Sequence, residues 1–313
     1  MKIKQVPEDF IVKEISTINP EKEGEYTYFL LKKRNYTTLR ALQKISEALK
    51  APAKAFGCAG NKDKTAITEQ VCSLKNASQA DIEKVSLKDI EVKYLGKGSK
   101  PVSLGDLKGN HFEIIVRDIE TIPTPKTRFI NYFGSQRFGI NNAEIGKAII
   151  KKDFKKAVAL ILLTKSIAAQ AVHKSLAIQP KNYIGALKVL PIKLLRLYVH
   201  AYQSLLWNEL AKKHAETSQE NVKLPVIGFG TTPNKMLEET LKRENITPRD
   251  FVIKEFPELS SEGTERDVFV EATELKISPL EDDELKKGKK KAKFCFSLQK
   301  GAYATEFIKQ LFS

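Results

Sequence analysis

The chain has 313 residues, enough for one large domain or two, and with 42% hydrophobic and 29% charged residues it excludes a disordered or collagen-like protein. Its 53 Lys and Arg outweigh 38 Asp and Glu, a net charge of +15 that attracts polyanions, nucleic acid foremost. Cys58, Cys72 and Cys295 form no CxxC and the four histidines are scattered, so neither a disulfide framework nor a metal site is expected. The N-terminus, MKIKQVPEDF, has early lysines but no apolar stretch of signal-peptide length, and the most apolar segment, Ala157 to Leu163, is too short to span a bilayer. A cytoplasmic protein without a membrane partner is expected; the oligomeric state stays open, with a monomer favoured.

In chain order, residues 24–33 predict a strand and 37–49 a helix, with Thr37 or Thr38 as its cap and Leu39, Leu42, Ile45 and Leu49 at helical spacing. Residues 66–74 and 111–117 predict strands, the second from the alternation of Phe112, Ile114 and Val116. Pro123 and Pro125 mark a break, followed by a polar-aromatic loop over 131–142. Helices are expected over 154–176 and 193–213, a loop over 214–235 and a weaker helix over 236–250. Alternating strands return at 267–277 and 293–298. Between them, the acidic run Glu281–Glu284 precedes the lysine-rich 286–293, which reads as a self-neutralising hairpin tip. The order implies an α+β protein: a mixed sheet built from both chain ends, interrupted by a mostly helical insertion.

Several chemistries lose support in the motif pattern. Residues 57–65, GCAGNKDKT, do not fit a P-loop because Asn61 follows Gly60; GFGTTP does not fit GxGxxG; GxSxG, HExxH and an EF-hand loop are missing. A cofactor-dependent methyltransferase would need a glycine-rich nucleotide loop after a strand. What remains is Gly60 to Ala66, where Asp63 sits between Lys62 and Lys64 just before a strand, and nearby cations favour a charged carboxylate. Taken alone, that segment is better read as an exposed turn whose Asp caps or bends the chain. The second clue is NYFGSQRFG, 131–139, whose Tyr132, Phe133 and Phe138 offer stacking faces among Gln136 and Arg137.

Six segments in order resemble the TruD family of pseudouridine synthases. They are PEDFIVKE (7–14), GNKDKTAITEQ (60–70), LKGNHFEIIVR (107–117), NYFGSQRFG (131–139), HAYQSLLWN (200–208) and LQKGAYATEFIK (298–309). The resemblance implies a pseudouridine synthase catalytic domain over 1–155 and 262–313, with the family's helical insertion over 156–261. It implies Asp63 as catalytic nucleophile, Phe10, Asn131 and Tyr303 as substrate contacts, and Phe133 as the aromatic that stacks on the target uracil. The implied substrate is tRNA, usually uridine 13 of the D-arm, with no cofactor and no metal. Lys309 and Gln310 stand where the family commonly has Arg-Glu, a change of little expected consequence. The basic partner of the aspartate is not assigned, and the shortened insertion leaves the substrate range open. The chemistry suits these residues: isomerisation needs no redox or phosphate donor, a carboxylate can serve as nucleophile, and the base must be flipped out to be reached. The competing reading is a catalytically silent RNA-binding module of the same fold.

Overall fold

In the computed structural model, which describes residues 1–313, the chain enters its first strand, β1 (Phe10–Ser16), from a short 3-10 turn at Pro7–Asp9. There follow β2 (Tyr26–Arg34), α1 (Thr38–Leu49), β3 (Phe56–Cys58), β4 (Ile67–Lys75), α2 (Gln79–Glu83), β5 (Ile90–Gly98) and β6 (Leu107–Ile119). Then come β7 (Arg128–Ile130), α3 (Asn142–Ile150), α4 (Phe154–Leu162), α5 (Ile167–Ile178), α6 (Tyr183–Lys188), α7 (Ile192–Thr217), β8 (Lys223–Val226), α8 (Lys235–Glu244), β9 (Thr264–Asp267) and β10 (Phe269–Glu271). The chain closes with β11 (Thr273–Ile277), β12 (Glu281–Asp282), β13 (Lys290–Gln299) and α9 (Ala304–Leu311).

The chain divides into two compact units, one of residues 1–127, 271–304 and 311–313, the other of 128–270 and 305–310. The first is a mixed sheet of order β11-β13-β6-β1-β4-β2-β5 drawn from both chain ends, with β3 and β12 paired at its margins. Period-2 alternation decides its faces. Phe10 and Val12 pair with Ile114 and Phe112, which in turn pair with Phe294 and Phe296, so one face carries a buried aromatic stripe. On the same face, Phe29, Leu31, Cys72 and Leu74 meet Ala41, Leu42 and Ile45 of α1. Thr37 caps that helix by accepting a bond from Arg40 N at 3.2 Å.

All but one of the resolved strand pairings in this sheet are antiparallel; β1 and β4 run parallel, with Ile11 opposite Ile67. The entries of these two strands therefore lie side by side, and with them the segments that precede Phe10 and Ile67.

The second unit is built on α7, 26 residues long, whose Leu195, Tyr198, Tyr202, Leu206 and Trp207 are buried against α3, α4 and α8. At Gly146 of α3 a side-chain carbon would stand 2.0 Å from the Tyr198 carbonyl oxygen, so only glycine permits this approach of two helix backbones. This unit begins at Arg128 rather than at 156, because β7 and α3 share its core. The helix expected over 154–176 is two: α4 stops at Leu162, and Ser166 starts α5 by accepting a bond from Ala169 N at 3.2 Å. The helix expected over 236–250 stops at Asn245 in the left-handed region (φ 51°), and Pro248 begins a separate 3-10 turn. Gln310 has a role that its departure from the family pattern did not suggest. Its amide accepts from Ile130 N at 2.9 Å and donates to Ile130 O at 2.8 Å, a pairing that a glutamate could not complete.

Candidate active site

Asp63 lies in the loop 59–66 that joins β3 to β4, at the entry to β4. Across the parallel β1–β4 pair, Lys4 reaches it from the segment before β1: Lys4 Nζ stands 2.6 Å from Asp63 Oδ2. The same ammonium lies 4.0 Å from the centroid of the Phe10 ring. The Asp63 side chain is 41% exposed and Lys4 16%, so the carboxylate is held by a cation yet open to a ligand. Lys4 is thus the cation paired with Asp63, a partner that the motifs did not name. Nothing in the spacing of Lys4 signalled it, since the contact spans 59 residues.

The loop is fixed from beneath by buried polar side chains on the helix-covered face of the sheet. Gln70 Nε2 donates to Gly60 O at 3.0 Å, and Thr38 Oγ1, itself bonded to Gln70, accepts from Lys62 N at 2.9 Å. Lys62 turns its ammonium inward to Glu14 Oε2 and Asn110 Oδ1, each at 2.7 Å; the Glu14 side chain is fully buried and that of Lys62 nearly so. Glu14 and Asn110 are register partners on β1 and β6, so one cross-strand pair receives one lysine. On the other side of the loop, Lys33 Nζ donates to the main-chain oxygens of Asp63, at 2.9 Å, and of Tyr36. Burial pushes the Lys33 ammonium down to about 8, against the opposing pull of the Asp63 charge. Asp63 is thus the outward residue of a segment whose neighbours are anchored on both sides. Glu14, Lys62 and Asn110 lie within the quoted motifs but carried no assigned role; Thr38 and Lys33 lie outside them.

The second constellation belongs to the other unit. Arg266 Nε donates to Asn131 O at 2.9 Å and Arg266 Nη2 to Asn131 Oδ1 at 2.5 Å, while Asn131 Nδ2 donates to Asp267 O at 3.2 Å. Asn131 is buried, with its amide committed to these partners. Phe133 is half-buried: Trp207 meets its ring edge-on with centroids 5.5 Å apart, and the guanidinium carbons of Arg266 and Arg137 lie 4.2 and 4.8 Å from its centroid. Its main chain exchanges bonds with the Asn208 amide, N to Oδ1 at 2.9 Å and Nδ2 to O at 3.1 Å. The NYFG and HAYQSLLWN segments are therefore one substructure, which their separation in sequence concealed. Of the five expected site residues, Phe10 and Asp63 meet through Lys4, and Asn131 and Phe133 meet through Arg266. Tyr303 sits half-buried in the turn before α9, within the first unit.

Comparison with known proteins bears on what these clusters are. A family model described as "tRNA pseudouridine synthase D (TruD)" matches residues 1–171, 165–225 and 209–311, nearly the whole chain. The chain belongs to the TruD family. It is 31% identical over 385 aligned positions to the "tRNA pseudouridine synthase D" of Aquifex aeolicus, covering all of this chain and 98% of that one. It is 31% identical over 410 positions to a Methanosarcina acetivorans protein described as "Probable tRNA pseudouridine synthase D", covering 99% of this chain and 92% of the relative. A crystal structure of the Methanosarcina mazei TruD superposes with a TM-score of 0.75 at 29% identity, covering 99% of this chain and 93% of that chain. The 410 aligned positions exceed the 313 residues present here, so that TruD relative carries additional residues within the matched span. The family match is broken near 165–171 and 209–225, both inside the second unit.

Proposed function

We propose that this protein isomerises uridine to pseudouridine in tRNA, with Asp63 as the nucleophile and uridine 13 of the D-arm as its target. The single observation that carries the reading is the Asp63–Lys4 pair at the paired strand entries, Asp63 lying in the segment 60–70 that resembles the family's catalytic motif. The names of the relatives support the substrate, and the +15 charge fits a polyanion. In the reaction the N1–C1′ bond breaks, the uracil turns over and a C5–C1′ bond forms. C5 loses a proton and N1 gains one, so the overall change is neutral in atoms and electrons. Asp63 supplies the attacking carboxylate, and Lys4 orients it and offsets its charge. The segments either side of it are pinned beforehand, so little of the barrier goes to arranging the loop. The target base leaves its stack at a cost of a few kcal/mol, which stacking on an aromatic ring can offset, and the ring that the family resemblance assigns to this is Phe133. Tyr303 contacts the substrate directly, while the buried Phe10 and Asn131 act through the cations they hold, Lys4 and Arg266. The second unit contains the family's insertion domain, 156–261, and the protein works in the cytoplasm as a monomer. The test is release of tritium from tRNA carrying 5-tritiated uridine. The wild type is expected to release one equivalent and Asp63→Asn none while still binding tRNA; release by both would remove Asp63 from the chemistry.

A further inference from the structure

The cations of the second unit are unevenly placed. From Phe154 to Asn208 the chain has no Asp or Glu in 55 residues, where its overall content of 38 in 313 would supply about seven. The same stretch has eight Lys and Arg, every one of them exposed, and none enters an ion pair. Elsewhere in the unit some lysines are matched, Lys147 with Glu244 at 2.9 Å, Lys152 with Asp250 at 3.9 Å and Lys212 with Glu216 at 3.9 Å. Residues 214–270 reverse the balance, with 11 acidic against 7 basic. Three helices of the acid-free stretch, α4, α5 and α6, pack on one another, so their cations lie in one region of the unit. Lys155 and Lys156 lie on α4, Lys165 in the turn after it and Lys174 on α5, with four more following as far as Arg196.

We propose that this surface of α4, α5 and α6 holds the phosphate backbone of the RNA substrate, outside the site that contains Asp63. The proposal rests on the reading that tRNA is the substrate. Exposed lysines without acidic neighbours hold phosphates as point charges, and each phosphate neutralised releases counterions. An anionic lipid surface would also attract lysines, but it demands a continuous apolar face beside them. The apolar residues of α4, Ala157, Val158 and Ile161, are buried in the core. The exposed apolar residues of the stretch are spread over several elements: Leu162, Leu163 and Ile167 about the turn between α4 and α5, Ile178 at the end of α5, Val189 after α6, and Ile192 and Leu197 on α7, so the vesicle arm of the test decides between lipid and phosphate.

The test is the salt dependence of tRNA affinity for the full chain. The quadruple variant Lys155→Gln, Lys156→Gln, Lys165→Gln, Lys174→Gln is compared with a control set of ion-paired lysines, Lys32→Gln, Lys44→Gln, Lys75→Gln, Lys212→Gln, after thermal melts show both folded. The slope of log K against log salt should fall by about 3 in the first set and stay at the wild-type value in the second. An unchanged slope in the first set, or equal falls in both, would overturn the proposal. So would an unchanged slope accompanied by lost adsorption to phosphatidylserine vesicles, which would assign the surface to lipid. Conversion of the tRNA by wild type is scored alongside: its failure would count against the enzymatic reading, while the slopes still decide the surface.

Discussion

Lys33, the penultimate residue of β2, is an ammonium group with 1% of its surface exposed, bonded to two main-chain oxygens, one of them that of Asp63. Burial lowers its proton affinity to about 8, from 10.5 in the open chain. Between those values the unfolded chain holds more protons than the folded one, so this group makes stability rise with pH, by about 3 kcal/mol across the window. Below pH 8 both states are protonated and the contribution is flat. Lys33→Met should remove that rise: urea midpoints at pH 7.5 and 10 should diverge between wild type and variant, and parallel shifts would contradict the account. Asp63 was legible in sequence because a contiguous motif carries it. Lys33 and Lys4 were not, because a lysine's environment is decided by which strands become neighbours. The partners lie 30 and 59 residues away.

At the scale of elements, Arg117 of β6 binds three carboxylates on two segments. It meets Asp9 of the turn before β1 at 2.7 Å, Asp283 at 2.5 Å and Glu284 at 2.8 Å, both beyond β12. Arg117, Asp9 and Asp283 are almost fully buried, and the pairing holds the guanidinium well above its usual range. Arg117→Met strands two buried carboxylates, so a loss of about 3–5 kcal/mol is expected by urea unfolding, and a loss below 1 would mean the site repacks. The hairpin 281–293 does partly neutralise itself, through Lys290–Asp282 and Lys291–Glu284. Charge pattern alone gave no sign that Asp283 turns inward. Thr38, the first residue of α1, connects helix to loop through Lys62 N. Thr38→Val keeps the shape and removes the anchor, which should lower kcat roughly tenfold or more with KM little changed. An unaltered kcat would show that the loop is held without it. Helix ends were the least legible elements, since the stops at Leu162 and Asn245 depend on caps inside otherwise periodic runs.

For the whole molecule, the interruption of a sheet by helices was readable from the return of strand alternation after residue 267. The boundary at Arg128 was not, because β7 is three residues long and joins the second unit through its partners β10 and Gln310. With a charge of +15 and a polyanionic substrate, kcat/KM should fall steeply between 50 and 200 mM salt while kcat holds. A salt-independent kcat/KM would argue against a substrate held by its phosphates. The account as a whole stands on Asp63 converting a uridine in tRNA. The most direct measurement is carbodiimide mapping of pseudouridine in unmodified tRNA transcripts treated with wild type or Asp63→Asn. It predicts one primer-extension stop in the D-arm with wild type and none with the variant; the same stop with both, or with neither, would contradict it.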